Sequence, residues 1–260
     1  MAKIHQTAVV EDGANVHPSA EIGPFCVVEK GVTIGADTVL KSHVAVAGNT
    51  TIGESTTIFP FASIGHAPQD LKYHGEESEV IIGDRCVIRE HVTINPGTEG
   101  GGLVTRVGND CLIMVGAHVA HDCRVGNNVI LVNNATLGGH VVVEDFAIIG
   151  GLSAVHQFVR IGAHAMIGGA SGVETDIIPF GSATGNRAVL AGLNLTGMKR
   201  RDFSRDEIHA MRNGYKQLFA DNGTFQERTA QLLADYPDSK VVKQVVDFIN
   251  GESKRGFCQP

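Results

Sequence analysis

The sequence lacks three things that would steer it toward whole classes of function: a basic surplus, a long apolar run and tryptophan. Lys and Arg number 21 against 28 Asp and Glu, for a net charge of -7. A general nucleic-acid or anionic-membrane binder needs a basic surface, so that class is excluded, though local basic patches are not. Neither a run of about eighteen apolar residues nor a basic-plus-apolar N-terminal leader is present, which makes a cytoplasmic protein with no membrane span the expectation. The missing tryptophan and the 32 glycines suit tight corners around a narrow interior. Cysteine is sparse as well, at five. Cys26, Cys86, Cys111 and Cys123 all fall in the small-residue slot of the repeat described next, so they read as core residues and not as disulfides or metal ligands. Cys258 lies in the tail and signals nothing.

What is present is a beat of six. From Val107 an aliphatic residue returns at every sixth position through Ile113, Val119, Val125, Leu131, Leu137, Val143, Ile149, Val155, Ile161 and Ile167 to Val173. Two residues before each stands a small or β-branched one, from Thr105 and Cys111 to Ala165 and Ser171. Residues two apart in a strand share a face, so each hexapeptide is one short strand plus one corner. A unit that short cannot bury its apolar side alone, whereas stacked copies share a continuous core. An amphipathic helix would repeat near 3.6 and a lone strand at 2, so the period predicts a parallel β-helix, an all-β solenoid.

The beat starts at Ile4 and runs through Ile22, Ile34, Ile52 and Ile64, with glycine after each of these four later aliphatics, where a missing Cβ lets the backbone bend. It stops over 66–79, a charged stretch containing Pro68, and again over 95–106, where Ile94 to Val107 amounts to one hexapeptide plus seven residues. Both segments read as loops projecting from the coil, and long loops in so regular a scaffold point to function or oligomer contact. The β-helix is expected over 1–186. Beyond it, Ser204 with Glu207 and Thr224 with Glu227 form S/T-x-x-E capping boxes ahead of helix-spaced apolar stripes, and a third stripe, Val241 to Ile249, ends at Asn250-Gly251. Residues 187–260 therefore read as a small helical domain that covers an open end of the coil.

Three hexapeptides close one triangular coil, which stacks positions 18 apart at about 4.8 Å. That spacing gathers His118, His121 and Asp122 with Gly138, Gly139 and His140 and with His156 and Gln157 at one corner, outside the inward slots. Several histidines at a corner suit general-base chemistry or sugar binding, a metal site, or plain surface hydrogen bonding. Asp122 beside His121 can fix an imidazole tautomer, and a Gly139 N–H can meet an oxyanion. Lys199-Arg200-Arg201 suits phosphates or an acidic carrier, because guanidinium pairs bidentately with anions.

The segments QDLKYHGE (69–76), GAHVAHDCRVGN (116–127), NNATLGGHV (133–141), AVHQFVRIGAH (154–164) and NLTGMKRRDFSR (194–205) resemble the UDP-N-acetylglucosamine O-acyltransferases that open lipid A biosynthesis. The resemblance spans essentially the whole chain, both loops included. It implies a left-handed β-helix and a homotrimer with its active site between neighbouring subunits. It also implies transfer of a 3-hydroxyacyl chain from acyl carrier protein to the 3-hydroxyl of UDP-N-acetylglucosamine, with no cofactor and no metal beyond the carrier's own thioester. Carried over by position, His121 would be the general base, Asp122 its orienter and Gly139 the oxyanion donor. His118, His140, His156 and Gln157 would hold the sugar nucleotide, with Asp70 and Lys72 reaching in from the first loop. Asn194 and Arg200 would contact nucleotide or pantetheine and Arg201 the pantetheine arm, while Gly169 would leave room for a longer acyl chain. The chain departs from the family pattern at Pro96, where a basic residue is expected, and at Thr196, where an acidic one is.

Three other readings fit parts of this pattern. The N-acyltransferase later in the same pathway shares the repeats but carries an extra N-terminal domain, whereas repeats here begin at Ile4. A zinc enzyme of the γ-carbonic-anhydrase type would use His118, His121 and His140. A trimeric spacer would need none of them.

Overall fold

The computed structural model describes residues 2–260 of the chain. Most strands are two residues long, and they stack into three parallel sheets that form the sides of a prism. The first sheet holds eleven strands, the second nine and the third eight, and every third strand in sequence pairs with its neighbour. Register follows the count of eighteen: Lys3 pairs with Glu21, and His118 pairs with Thr136. The loops change the count and not the pairing, since Thr93 faces His118 and Thr57 faces Val87. The coil winds left-handedly.

From the second coil on, both predicted inward slots of each hexapeptide are buried, from Ala20 and Ile22 through Cys111 and Ile113 to Ala165 and Ile167, whereas in the open first coil Ile4 is exposed and Val10 and Val16 are half-buried. Each such aliphatic contributes roughly 1.5–3 kcal/mol by leaving water. Cys26, Cys86, Cys111 and Cys123 are buried free thiols inside this column. Glycine's part is as expected at Gly65, which bends the chain at φ 79, but differs at Gly23, Gly35 and Gly53. At Gly35 a Cβ would lie 2.7 Å from the carbonyl carbon of Gly53 in the next coil, so the residue serves close stacking. The bend itself falls two residues later, on Asp37 at φ 56, and the same αL corner recurs at Phe25, Ser55, Asp122 at φ 60, His140 at φ 61 and Phe158 at φ 66. Left-handed backbone costs an L-residue about 1–2 kcal/mol, which the shared core has to offset at every corner.

The first loop runs between strands Ser63–Ile64 and Glu79–Ile82; the second, between Thr93–Ile94 and Val104–Val107, holds one 3₁₀ turn, Glu99–Gly101. Glu76 ties them together, its carboxylate accepting from the Glu99 N–H at 3.1 Å and the His74 N–H at 2.8 Å. Strand structure continues past 186, because Val189–Leu193 turns back antiparallel onto Gly181–Thr184. Four helices follow: α1 (Leu195–Arg200), α2 (Arg205–Leu218), α3 (Phe225–Asp235) and α4 (Lys240–Asn250). Both expected capping boxes form, at Ser204/Glu207 and Thr224/Glu227, and Gly251 is the C-cap of α4. The short α1 has no apolar stripe that would have announced it. Met198, Met211, Leu218 and Val245 join Ile177, Phe180 and Leu190 in one core, so the helices close the last coils with apolar packing.

Candidate active site

The corner between strand His118–Val119 of the second sheet and strand Arg124–Val125 of the third carries the chemistry. Its αL residue, Asp122, has a side chain only 1% exposed. A buried carboxylate needs donors, and the second loop supplies them. The Thr98 N–H donates to Oδ1 at 2.9 Å and the Thr98 hydroxyl to Oδ2 at 2.6 Å, while the Asp122 N–H donates to the Thr105 hydroxyl at 2.7 Å. Gly101 packs so closely that any side chain there would run into the carboxylate.

Thus fixed, Asp122 Oδ2 accepts from His121 Nδ1 at 2.8 Å. With its proton on Nδ1, the imidazole leaves Nε2 as a free acceptor; Asp70 Oδ2, 3.7 Å away, can pair with it only once the ring is protonated. His121 lines a cavity of about 490 Å3 together with Gly139, His118, Gln157, Gln69 and Asn95. A Cβ on Gly139 would lie 2.5 Å from His121 Nε2, so only glycine leaves the ring its place. The Gly139 N–H donates to no protein acceptor among the described residues.

His118 Nδ1 is 2.7 Å from the Thr93 hydroxyl, and burial, aided by the neighbouring His121, depresses its basicity. Burial does the same to His140, whose Nδ1 is 3.8 Å from Asp122 Oδ2 and whose ring meets His121 edge-on at 5.0 Å. Ligand atoms of His121, Asp122 and His140 lie within 4.8 Å of one another, a spacing that would also accommodate a cation. His156 is exposed one coil beyond Gly138, its Nδ1 3.3 Å from the Gln157 carbonyl. Lys72 is exposed, and its backbone N–H caps Asp70 at 3.0 Å.

The remaining candidates lie elsewhere on the prism. Asn194, Arg200 and Arg201 line a separate cleft of about 810 Å3 over the first sheet, with Ile130, Ile148 and Met166. Asn194 is the N-cap of α1, accepting from the Gly197 N–H at 2.9 Å and donating to the His164 carbonyl at 2.9 Å. Arg201 donates to the Phe146 carbonyl at 3.1 Å with its guanidinium 5.1 Å over that ring, and burial lowers its pKa. Gly169 is exposed at the corner of the first and second sheets, 3.3 Å in projected Cβ distance from the Gly151 carbonyl. One chain therefore brings His118, His121, Asp122, Gly139, His140, Gln157 and Asp70 together, and it holds Asn194, Arg200 and Arg201 on another face.

Sequence reasoning passed over Thr98, Thr105 and Asn95. The first two lie in or beside an insertion, where counting by eighteen has no meaning. The third is 7% exposed, with its carboxamide oxygen buried and unpartnered beside the cavity.

Two family models match the chain: bacterial transferase hexapeptide repeats over residues 105–139, and the second domain of UDP-N-acetylglucosamine O-acyltransferase over 176–258. An acyl-(acyl-carrier-protein)–UDP-N-acetylglucosamine O-acyltransferase of Rickettsia canadensis is 52% identical over 257 residues, covering 99% of this chain and 97% of its own length. The enzyme of that name from Azorhizobium caulinodans is 53% identical over 260 residues, covering 100% and 96%. The crystal structure of the Francisella novicida UDP-N-acetylglucosamine acyltransferase superposes with a TM-score of 0.96 at 41% identity, covering 99% of this chain and 94% of the other. With relatives at this identity along its full length, and with a coil and helical end that overlay theirs, the chain belongs to the UDP-N-acetylglucosamine O-acyltransferase family.

Proposed function

We propose that this chain transfers a 3-hydroxyacyl group from acyl carrier protein to the 3-hydroxyl of UDP-N-acetylglucosamine, the step that opens lipid A assembly, with His121 as general base. The observation that carries this reading is the His121–Asp122 pair: a carboxylate locked by Thr98 holds Nδ1–H at 2.8 Å and leaves Nε2 facing a cavity. Nε2 takes the proton of the sugar hydroxyl as its oxygen attacks the thioester carbonyl, and Asp122 stabilises the imidazolium that results. The Gly139 N–H meets the tetrahedral oxyanion. Collapse breaks the C–S bond, and the imidazolium returns its proton to the departing pantetheine sulfur. No acyl-enzyme forms. With His118 and His140 held uncharged by burial, the imidazolium of His121 faces no second cation in its own ring cluster.

The acceptor sugar lies against Asp70, Lys72, His118, His140, His156 and Gln157 in this reading. Asn194, Arg200 and Arg201 serve a substrate bound at His121 of a neighbouring subunit in a homotrimer. The separation of the two clefts on one prism supports that division of labour. Arg201, already bound to Phe146, acts by shaping the cleft, and Arg200 is the cation free to meet an anion.

Incubating the purified protein with 3-hydroxyacyl carrier protein and either UDP-N-acetylglucosamine or the 3-O-acylated, N-deacetylated sugar nucleotide tests the assignment by mass spectrometry. Acylation of the first acceptor is expected, and loss of most of it in His121→Ala with unchanged folding; acylation of only the free amine overturns the reading. The second reading, a zinc centre on His118, His121 and His140, finds only two of its three histidines in the clustered donor set, where Asp122 stands in place of His118 with both oxygens already hydrogen-bonded. Stoichiometric zinc in the purified protein, with turnover abolished by a chelator, would establish it in place of the first.

A further inference from the structure

The chain does not end at α4. Its last residues run back along the prism: the Asp176 N–H donates to the Gly256 carbonyl at 2.8 Å, the Cys258 N–H to Asp176 at 2.9 Å and the Leu190 N–H to Gln259 at 2.8 Å. Asp176 in turn pairs with Arg160 at 2.7 Å, and Arg160 lies 4.3 Å over Phe248 of α4 and donates to its carbonyl at 3.0 Å. Between these anchors, residues 252–255 cross the third face to the catalytic corner. There the Arg255 Nε donates to the Gln157 carbonyl at 2.8 Å, and the Lys254 ammonium lies 4.9 Å over the Phe158 ring.

Phe158 is the αL residue one coil beyond His140, and the two rings stack at 4.4 Å with 6° between planes. His140 then meets His121 edge-on, and both imidazoles aim Nδ1 at the same oxygen of Asp122, at 3.8 and 2.8 Å. That shared oxygen is a weakness. A His140 free to swing, or to take a proton, competes with the base for its carboxylate and repels the imidazolium formed in the reaction.

We propose that the C-terminal tail is part of the catalytic apparatus: through Lys254 and Arg255 it pins Phe158 over His140 and keeps His140 from competing with His121 for Asp122. The inference rests on His121 being the general base. Lys254 and Phe158 are positioning residues, acting through His140 and not on the substrate. Asp122 and Asp70 favour the charged form of His140, while its burial, His121 and Lys254 oppose it, and the balance lies on the uncharged side. Arg124, Arg160, Glu252 and Asp122 itself line the same pocket of about 360 Å3 behind the corner, so the ammonium of Lys254 joins two guanidiniums there, one of them paired with Asp176, against two carboxylates.

Lys254→Met keeps the aliphatic stem on Phe158 and removes the charge; Lys254→Arg restores it. The pH profile of kcat/KM is the readout. In Lys254→Met the acid limb moves to higher pH, so the loss relative to the parent is roughly threefold larger at pH 6 than at pH 8, the scale of one screened charge several ångströms away. Lys254→Arg returns the limb to the parental position. In parallel, NMR of 13C-labelled histidine shows the His140 resonance titrating at higher pH in Lys254→Met. A uniform loss at all pH values, a rise in KM for either substrate with the limb unmoved, or an unshifted His140 titration each overturns the proposal. His121→Ala, assayed alongside, separates this from the parent reading: if that variant turns over normally the base assignment fails, whereas if it is inactive and Lys254→Met is silent only the tail's role fails.

Discussion

Gly139→Ala is the sharpest probe of the catalytic corner, because it changes one hydrogen for a methyl and leaves the backbone N–H in place. The added Cβ would lie 2.5 Å from His121 Nε2, where an ordinary contact is about 3.5 Å, so the ring must give by about 1 Å. It cannot retreat freely. Asp122 behind it is held by two bonds from Thr98 and one from its own N–H to Thr105, and the His140 ring stands 5.0 Å away on the neighbouring coil. The imidazole escapes only by abandoning its 2.8 Å bond to Asp122 or by pushing Nε2 out of line with the acceptor hydroxyl. A misplacement of about 1 Å costs on the order of 100-fold in rate, or about 2.7 kcal/mol of transition-state stabilisation. Overpacking adds about 1–3 kcal/mol of lost stability, visible as a lower Tm. Initial rates at saturating carrier thioester and sugar nucleotide, read by mass spectrometry beside a thermal melt, measure both effects. The double variant Gly139→Ala/His121→Ala should be no slower than His121→Ala alone, since both changes act on one ring. A folded Gly139→Ala enzyme with kcat within threefold of the parent refutes the argument that this glycine exists to seat the base.

Thr98→Val removes the 2.6 Å hydroxyl bond to the buried carboxylate of Asp122, and a bond to a charged group is worth about 1.5–3 kcal/mol. We expect kcat to fall roughly tenfold or more with KM little changed, measured in the same assay. His164 is sandwiched between Phe146 and Phe180, and burial, reinforced by Arg201, pushes its pKa from 6.5 down to about 4. Between those two values the unfolded chain binds a proton that the folded one refuses, so stability should fall as pH drops through that window, by about 1–2 kcal/mol after solvent screening of a half-buried ring; urea unfolding at pH 7.5 and pH 4.5 measures it, and His164→Phe should flatten the dependence. Mixed assemblies of His121→Ala and Arg200→Ala chains should recover activity that neither has alone, because one subunit then supplies an intact base and its neighbour an intact arginine; no recovery on subunit exchange counts against a site shared between chains.

The coil was legible because its physics is arithmetic. A period of six at Val107 to Val173 leaves no competing element, and pairing at intervals of eighteen follows from three strands per turn. Helices with capping boxes were legible for the same reason, that a local rule is written in adjacent residues. What resisted reading lay where the count is broken. Thr98 reaches Asp122 from an insertion of no fixed geometry, and the return of the tail to Phe158 and Gln157 depends on how the helices pack. Handedness was not in the spacing either. Nor were the αL corners, which are occupied by Asp, His, Phe, Ser and Asn as well as by glycine, so composition does not mark them.

Histidine itself turns out to be a poor marker of the site. All three corners of the prism carry stacked columns of αL residues in which histidine alternates with phenylalanine. Phe25, His43, Phe61 and His91 stack at 4.9 to 5.1 Å along the corner of the first and second sheets, and Phe146, His164 and Phe180 do so along the corner of the third and first. A flat ring tolerates the spacing between coils, so such columns are a structural habit of this chain. The catalytic corner differs by a buried carboxylate: Asp37 and Asp110, the αL acids of the corner between the third and first sheets, are exposed, whereas Asp122 is buried. In the column Asp122, His140 and Phe158, one position holds an acid, and a buried acid is stable only if the loop beside it provides hydrogen-bond donors. The second loop, with Thr98 and its run of glycines, is therefore the cost of placing Asp122 where it can hold His121. A search for chemistry in coils of this kind should look for the αL acid and the insertion that covers it before it counts histidines.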